Sequence, residues 1–426
     1  MGNEDNQVTS AVQVYSADVV LPVTSPRLKD GAVAVRGDKI LHCGDRKWLL
    51  GHLQDAGIKY TETHFAGALT PGLVNAHTHL QYTHMAELGQ GQFNGFHDWG
   101  RAFDRVYDAG GHDWFAAAAD GAKLSKAAGV TAAADVVTDA AAVSALHDAG
   151  LKGIAYWEIY GQSDWGAKRR DELLERLAQL PAEPGAGVSP HAPYSLNTEQ
   201  LLDIPDIARE RGLRLHIHLA ESEEEQSLDE HTDGWEDHAP ESFNHLPVGY
   251  GISSIQFVDH LGVLGPECHI AHGVYANEKD RAILRARGSA VALCPRSNAV
   301  IGLDEAPVSA YLREGNLIAV GTDSLSSSPS LDMLADVAAA YRIAVRQGYT
   351  ETDLHQKLFN AATLGGATAL GLQVGLGRIG QLAVGAAADL AFFEVPSADP
   401  RDALACLVED GAGRCRQTVI AGQVCY

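Results

Sequence analysis

The stretch Thr70-Pro71-Gly72-Leu73-Val74-Asn75-Ala76-His77-Thr78-His79 joins a short apolar run to two histidines at its end. Alternate side chains of a β-strand share a face, so His77 and His79 would point in the same direction. Two imidazoles on one face can bind a single metal ion. A His-x-His pair is by itself more often structural, so its interpretation depends on what the rest of the chain supplies.

The same kind of apolar run recurs along the chain, each time short enough for a buried parallel strand. The eight runs are residues 69–79, 130–136, 153–160, 187–194, 213–220, 268–274, 290–294 and 317–323. Helix-compatible stretches separate them, and several end at glycine, as helices often do. These stretches include residues 114–128, 140–149, 168–180, 198–211 and 278–287. Eight strand-then-helix units in order predict an α/β fold, a (β/α)8 TIM barrel.

Both ends of the chain depart from this rhythm and contain only short predicted strands and turns. A barrel of about 250 residues leaves room in 426 residues for one small further domain. Chain termini commonly lie near each other, so we expect a composite β-sandwich made from both ends. The predicted division is residues 1–66 for the first part of the sandwich, 67–374 for the barrel and 375–426 for the second part.

The composition excludes several classes of protein. Lys and Arg number 32 against 55 Asp and Glu, a net charge of −23. Nucleic-acid backbones and anionic membranes select basic surfaces, so neither is expected as a partner. The acidic start lacks the pattern of a signal peptide, and we expect a cytoplasmic protein. The six cysteines are scattered without a C-x-x-C pair, which disfavours a disulfide framework or a cysteine zinc site.

Other predicted strand ends carry residues that suit the same metal. Catalytic residues of these barrels lie at the C-terminal ends of the strands. His218 and Asp323 stand at two such ends and can complete a ligand set with His77 and His79. Three imidazoles and one carboxylate suit Zn²⁺, with Fe²⁺ as the alternative. The combination outweighs the structural interpretation of the His-x-His pair.

These motifs together resemble the amidohydrolase superfamily, in its mononuclear deaminase branch. That branch includes S-adenosylhomocysteine/methylthioadenosine deaminases, guanine deaminases, aminofutalosine deaminases and triazine hydrolases. The resemblance spans nearly the whole chain. It is carried by residues 71–79, His218-Leu219-Ala220-Glu221, His272-Gly273, Cys294-Pro295-Arg296-Ser297-Asn298, Gly321-Thr322-Asp323-Ser324, and Gly377-Arg378-Ile379-Gly380 through Ala388-Asp389-Leu390.

The resemblance implies a role for each matching residue. Glu221 resembles the acid that passes a proton to the ring nitrogen beside the attacked carbon. His272 resembles the residue that steadies the tetrahedral intermediate. Asp323 would take the proton of the attacking water as well as bind the metal. The implied metal ligands are His77, His79, His218 and Asp323.

Relatives with two metals use a carboxylated lysine on a middle strand. Runs 153–160 and 187–194 contain no lysine, so one zinc ion per chain is expected. The missing lysine disfavours a two-metal amide-ring hydrolase. A non-catalytic scaffold is disfavoured because all five metal and acid–base positions are filled.

Five residues are candidates for substrate contact. His191 resembles a substrate-contacting residue, and Gln81 lies on the loop that covers substrate in relatives. Trp99 could stack on a base or close the pocket, or could be a core aromatic. Glu158 could hold ribose hydroxyls or an amino group, or could form a structural ion pair. Arg296 could meet a substrate carboxylate or pair with a neighbouring acid.

The predicted reaction is hydrolytic removal of the 6-amino group of an adenine nucleoside, a small-molecule substrate. The pattern His-Thr-His-Leu-Gln-Tyr-Thr-His is most similar to aminofutalosine deaminases, so 6-aminodeoxyfutalosine of menaquinone biosynthesis is the first candidate. The alternatives are methylthioadenosine or S-adenosylhomocysteine, then guanine or a triazine. The resemblance leaves a homodimer open.

Two other features of the sequence bear on its function. Gly375-x-Gly377-x-x-Gly380 matches a dinucleotide fingerprint but lacks a preceding strand and a βαβ unit, so we reject it. The acidic stretch 221–251 follows a predicted strand and is either a lid over the substrate or a solvated helix and turn.

Overall fold

The computed structural model of the chain describes residues 11–161, 165–180, 185–223, 225 and 251–426. Its strands are β1 (Val12–Val20), β2 (Leu28–Arg36), β3 (Lys39–Asp45), β4 (Tyr60–Pro71), β5 (Leu73–Thr78), β6 (Val130–Val137), β7 (Lys152–Ile159), β8 (Gly185–Pro190), β9 (Arg214–Leu219), β10 (Cys268–His272), β11 (Ala290–Leu293), β12 (Ile318–Val320), β13 (Leu390–Phe393), β14 (Cys415–Ile420) and β15 (Gln423–Val424).

The helices of the described residues are α1 (Arg46–Asp55), α2 (Phe96–Asp108), α3 (Trp114–Ala127), α4 (Ala140–Ala149), α5 (Ala167–Gln179), α6 (Thr198–Glu210), α7 (Ser254–His260), α8 (Glu278–Arg287), α9 (Pro295–Ile301), α10 (Val308–Glu314), α11 (Met333–Arg346), α12 (Leu354–Asn360), α13 (Gly366–Ala369) and α14 (Pro400–Asp410). Short 3₁₀ helices span Leu80–Met85 and Leu88–Gln90, and one π turn spans Ala361–Gly365.

Strands β5 to β12 form one parallel sheet in chain order, which confirms the predicted barrel. The first and last strands close it through the carbonyl of His77, which accepts from the amides of Thr322 and Asp323 at 3.1 and 3.0 Å. The Asn75 side chain also donates to the Thr322 hydroxyl at 2.8 Å. The stretch 70–79 therefore leads into the place where the first and last strands of the barrel meet, and it puts His77 beside Asp323.

Small side chains occupy much of the barrel interior. Ala76, Ala132 and Ala292 are buried together with the ring of Tyr156. Alanine at these positions leaves space for imidazole rings near the axis, where close packing otherwise fills the interior. The rings of Tyr156 and His216 lie 5.5 Å apart between their centres.

The two ends of the chain form a separate seven-stranded sheet. The sequence predicted a separate domain here because these ends lack the strand-then-helix pattern of the barrel. Its order is β15-β14-β13-β4-β1-β2-β3, so β4 and β13 join the N-terminal and C-terminal parts. These two strands pair antiparallel, with Leu390 opposite Pro71.

Two helices were not predicted in these terminal regions. In α1 the Asp45 carboxylate accepts from the amide of Trp48, and Leu49 and Leu53 are buried. In α14, Asp399 caps the first turn and the helix lies against α11 and α12 of the barrel. Strand β4 runs through residue 66, and the three domain ranges given above stay a prediction.

Within the described ranges, no helix is long and apolar enough to cross a membrane. Of the acidic stretch 221–251, only residues 221–223, 225 and 251 are described. The prediction of a lid therefore lies outside the described residues.

Candidate active site

The four predicted metal ligands converge at the C-terminal mouth of the barrel. The ligand atoms of His77, His79 and His218 lie within 4.8 Å of one another, and the Nε2 atoms of His79 and His218 are 3.3 Å apart. Asp323 Oδ1 is 3.4 Å from Nε2 of His77 and 3.7 Å from Nε2 of His79. Side chains from β5, β9 and the end of β12 thus face one common point.

The state of these side chains fits a bound metal. Both ring nitrogens of His77 are buried without a hydrogen-bond partner among the described residues, an arrangement that a native interior rarely leaves unused. Burial lowers the pKa of His79 to about 3 and that of His218 well below its usual value. Both imidazoles are therefore neutral at pH 7, the form that binds a metal. Three imidazoles and a carboxylate form a donor set suited to zinc.

Outer contacts orient the ligands. Nδ1 of His218 lies 3.1 Å from the carbonyl of His191, so Nε2 is left to face the cluster. Asp323 Oδ2 accepts from the hydroxyls of Ser297 and Ser327 at 2.6 and 2.9 Å. Oδ1 accepts from the amide of Ser324 at 2.8 Å. None of these serines was predicted to have a role, although two of them, Ser324 and Ser327, closely follow Asp323 in the sequence.

We expect Ser297→Ala to weaken zinc binding by about 10-fold or more, because it removes one of the two hydroxyl bonds that hold Oδ2 of the ligand Asp323. Competition with a chelator measures the zinc dissociation constant. Ser144→Ala is the matched control, since Ser144 is exposed on α4 and bonds only its own helix among described residues. Equal zinc affinity in the two variants would contradict the assigned role.

The backbone is strained at the same strand ends. Ala220, His272 and Asp323 have positive φ values of 52°, 72° and 56°. Non-glycine residues in this conformation cost free energy and cluster at functional sites. The carboxylate of Glu225, which the sequence analysis did not single out, accepts from the amides of Ala220 and Glu221, each at 2.8 Å. Glu225 thereby holds the turn that presents the Glu221 side chain.

The two predicted acid–base residues lie together beside the ligand cluster. His272 Nε2 is 3.4 Å from Glu221 Oε1, and both side chains are almost fully buried. Burial lowers the pKa of His272 to about 4, so the ring is neutral at pH 7. Nδ1 of His272 lies 3.1 Å from Oδ1 of Asn298, which fixes the ring plane. Asn298 is therefore a further positioning residue, for which the sequence alone predicted no role.

The structure brings two of the five substrate candidates to the cluster. Ligand atoms of Glu158, His191 and His218 lie within 4.8 Å of one another. Burial, together with the charge of Asp323, raises the pKa of Glu158 to about 8. Nδ1 of His191 lies 2.8 Å from the hydroxyl oxygen of Ser195, and this contact orients the His191 ring.

Trp99 lies on α2, in the connection that leads from β5 to α3. Its indole nitrogen donates to the carbonyl of Ser326 at 3.0 Å. The ring packs against Phe96 and Phe103, with ring centres 5.6 and 5.3 Å away. Trp99 thus ties α2 to the segment after Asp323, and its predicted contact with substrate stays a prediction.

The Gln81 side chain is occupied by bonds within the protein, and its predicted contact with substrate stays a prediction. Its side chain is fully buried, with Nε2 donating to the Thr138 hydroxyl at 2.6 Å and Oε1 accepting from the Thr138 amide at 2.9 Å. The physical reason is its position in the 3₁₀ turn Leu80–Met85, where the end of β6 offers both partners. Gln81 therefore connects β6 to the first loop.

The predicted contact of Arg296 with substrate is corrected by its ion pair with Asp336. Its guanidinium donates twice to Asp336 Oδ2, at 3.0 and 2.8 Å, and to the hydroxyl and carbonyl of Ser330 at 2.8 and 2.7 Å. Asp336 is fully buried on α11 and needs a cation beside it. Of the two interpretations of Arg296, the structure supports the pair with a neighbouring acid.

We expect Arg296→Met to destabilise the fold by about 3 kcal/mol, because it leaves the Asp336 carboxylate buried without its cation. Urea unfolding measures the change. Arg169→Met, at a half-exposed arginine on α5, should shift the free energy of unfolding by no more than about 0.5 kcal/mol. An unchanged urea midpoint for Arg296→Met would contradict this structural role and favour the predicted contact with substrate.

Comparison with known proteins agrees with this geometry. The model of the amidohydrolase family matches residues 68–425. A 5-methylthioadenosine/S-adenosylhomocysteine deaminase of Moorella thermoacetica is 31% identical over 424 residues, covering 94% of this chain and 90% of that protein.

Solved structures share the fold. An adenosine deaminase from Xanthomonas campestris with bound zinc has a TM-score of 0.78 at 24% identity, covering 98% of this chain and 93% of that one. Helicobacter pylori aminofutalosine deaminase has a TM-score of 0.80 at 20% identity, covering 97% and 99%. With the family match over most of its length, the chain belongs to the amidohydrolase family, as a hydrolase acting on carbon–nitrogen bonds.

Proposed function

We propose that the protein is a zinc-dependent deaminase that hydrolyses the 6-amino group of an adenine nucleoside, with one zinc ion per chain. The observation that carries the proposal is the placement of Glu221 and His272, 3.4 Å apart, beside the cluster of three histidines and Asp323. Hydrolysis of an amino-heterocycle needs an activated water, a proton donor for the ring nitrogen and a group that steadies the tetrahedral carbon. The relative from Moorella is named a 5-methylthioadenosine/S-adenosylhomocysteine deaminase, which supports the same reaction class.

Each residue has a step in this reaction. The metal, when bound, supplies Lewis acidity and lowers the pKa of water. Asp323, held by Ser297 and Ser327, accepts a proton from the attacking water. Glu221 delivers a proton to the ring nitrogen next to the attacked carbon, and His272 donates or accepts at the new oxygen. The proton on Asp323 then leaves with ammonia, and the proton on the new hydroxyl returns to Glu221 as the carbonyl forms, so that one water is consumed and one ammonia released.

The identity of the nucleoside is a finer proposal. The sequence favoured 6-aminodeoxyfutalosine, partly because Arg296 could have met a carboxylate. This argument no longer applies, since Arg296 forms an ion pair with Asp336. We therefore place methylthioadenosine and S-adenosylhomocysteine first, 6-aminodeoxyfutalosine second, and guanine and triazines after them.

An ammonia-release screen with zinc-loaded protein tests the proposal. The panel contains adenosine, methylthioadenosine, S-adenosylhomocysteine, 6-aminodeoxyfutalosine, guanine and an amino-triazine. We expect ammonia and the 6-oxo product from at least one adenine nucleoside. Release from guanine or the triazine alone would contradict the proposal, and so would two metal ions per chain by elemental analysis.

A further inference from the structure

A cavity lies at the end of the barrel opposite the predicted metal ligands. Its volume is about 870 Å³, within the range of small-molecule sites. The first residues of three neighbouring strands line it, namely Lys152 of β7, Gly185 of β8 and Arg214 of β9. The terminal sheet supplies a further part of the wall, with Lys39 at the start of β3 and Gln423 on β15. This base cavity therefore lies between the barrel and the terminal sheet, away from the proposed reaction.

Arg214 brings an incompletely used guanidinium group to the base cavity. Its Nη2 atom donates to the carbonyl of Ala369 at 2.7 Å, whereas its Nε atom is buried without a hydrogen-bond partner among the described residues. No carboxylate oxygen within the described ranges lies within 4.0 Å of its nitrogens. A partly buried guanidinium group is costly unless acceptors or an anion meet it. Arg214 therefore keeps donor capacity that an anionic ligand can use.

Two lysines border the same cavity, and each is already paired with a carboxylate. Nζ of Lys152 lies 2.7 and 2.9 Å from the two carboxylate oxygens of Asp389. Lys39 forms an ion pair with the neighbouring Asp38. Together with Arg214, three basic side chains meet two carboxylates, which leaves one positive charge at the base cavity. Because the whole chain carries −23, this local charge has the opposite sign and attracts anions to one place.

Two glycines in the wall of the base cavity lie against the cationic groups. A Cβ atom at Gly371 would be 2.8 Å from Nη1 of Arg214, and one at Gly377 would be 3.4 Å from Nζ of Lys39. Both glycines have positive φ values, 71° and 78°, which side chains rarely adopt. Gly377 also belongs to the glycine motif at residues 375–380, for which the rejected dinucleotide interpretation left no role. Glycine at these positions leaves room beside the guanidinium and ammonium groups.

We propose that the base cavity binds a small organic anion, whose carboxylate or phosphate group is held by Arg214 and Lys39. A guanidinium group binds either oxyanion through two parallel hydrogen bonds, and an ammonium group adds a compact charge. The apolar side chains of Leu370 and Ile379 also line the cavity, so the ligand has an organic body beside its charged group. Strand β9 begins at Arg214 and carries His218 near its other end, so this site is separate from the predicted metal site.

Three compounds with the same carbon skeleton test the proposal, namely glycerol 3-phosphate, glycerate and uncharged glycerol. Calorimetry on the zinc-loaded wild-type protein measures the Kd of each. We expect at least one of the two anions to bind with a Kd of about 1 mM or lower, and glycerol to bind at least about 10-fold more weakly. Binding of glycerol 3-phosphate alone supports a phosphate ligand, and binding of glycerate alone supports a carboxylate ligand. Failure of both anions to bind, or equal binding of all three compounds, would overturn the proposal.

Two variants place the bound anion. Arg214→Gln removes the guanidinium group, and Lys39→Glu reverses the charge of a side chain that is 38% exposed and can change without loss of the fold. Each should weaken binding of the anion by at least about 10-fold. Arg105→Gln, at an exposed position of α2, is the matched control and should bind as the wild type does.

Wild-type affinity in Lys39→Glu would show that the anion binds elsewhere, for example at the zinc ion, and would overturn the proposal. The same holds if Arg105→Gln loses as much affinity as the two variants. Should Arg214→Gln fail to fold, Lys39→Glu decides the question. None of these measurements uses turnover, so the base cavity and the proposed deamination stand or fail separately.

Discussion

Replacing Glu221 with glutamine should lower kcat by at least about 10²-fold while zinc content stays at that of the wild type. The side chain is almost fully buried, and its Oε1 lies 3.4 Å from His272 Nε2, outside the set of predicted ligands. Glutamine keeps the shape of the side chain and the two backbone bonds that Glu225 makes to residues 220 and 221. It cannot carry a proton to a ring nitrogen, so the loss should fall on the chemical step.

Steady-state kinetics and elemental analysis of the same preparation check this result. Glu223→Gln is the matched control, because Glu223 is exposed two residues away and should keep wild-type turnover. Turnover near that of the wild type in Glu221→Gln would remove the acid role. Loss of zinc together with activity would instead make Glu221 a ligand.

The second large effect is expected for Asp323→Ala, which should reduce both zinc occupancy and rate. Asp323 Oδ1 faces Nε2 of His77 and His79 at 3.4 and 3.7 Å, and Oδ2 is held by two serine hydroxyls. Alanine removes a metal ligand and the proposed proton acceptor at once. We expect a loss in kcat of about 10³-fold or more, toward the upper end of what a single acid–base group supplies.

Zinc content after dialysis and the rate at saturating zinc separate the two roles. Asp323→Asn should recover part of the zinc occupancy, since an amide oxygen still faces the site, but little of the rate. Asp206→Asn changes a carboxylate that is 71% exposed on α6 and serves as the control. Unchanged zinc occupancy in Asp323→Ala would show that this residue is not a ligand.

Much of the fold was predictable because its signals are local. Buried parallel strands need short apolar runs, and the helices between them end at glycine, as Gly150 and Gly288 do in a left-handed conformation. The two unpredicted helices had a local signal as well, an aspartate that caps the first turn at Asp45 and at Asp399. The capping signal outweighed the turn-like composition on which the prediction relied.

The metal ligands were predictable for a similar reason. Coordination chemistry restricts the residue types, and a period of two places His77 and His79 on one face. The barrel then requires only that strand ends meet at one mouth, which brings His218 and Asp323 to the same point.

The sequence by itself determined the barrel, the terminal sheet and the types of residue at the strand ends, because these follow from periodicity and from metal chemistry. Only the tertiary structure decided what each polar side chain does. Gln81 bonds a residue 57 positions away, Arg296 one 40 away and Asp323 one 26 away. Such partners meet only when the barrel closes, and a buried polar group must take whichever partner the closed barrel offers. Closure paired Arg296 with Asp336 and placed the buried Glu158 beside His191 and His218.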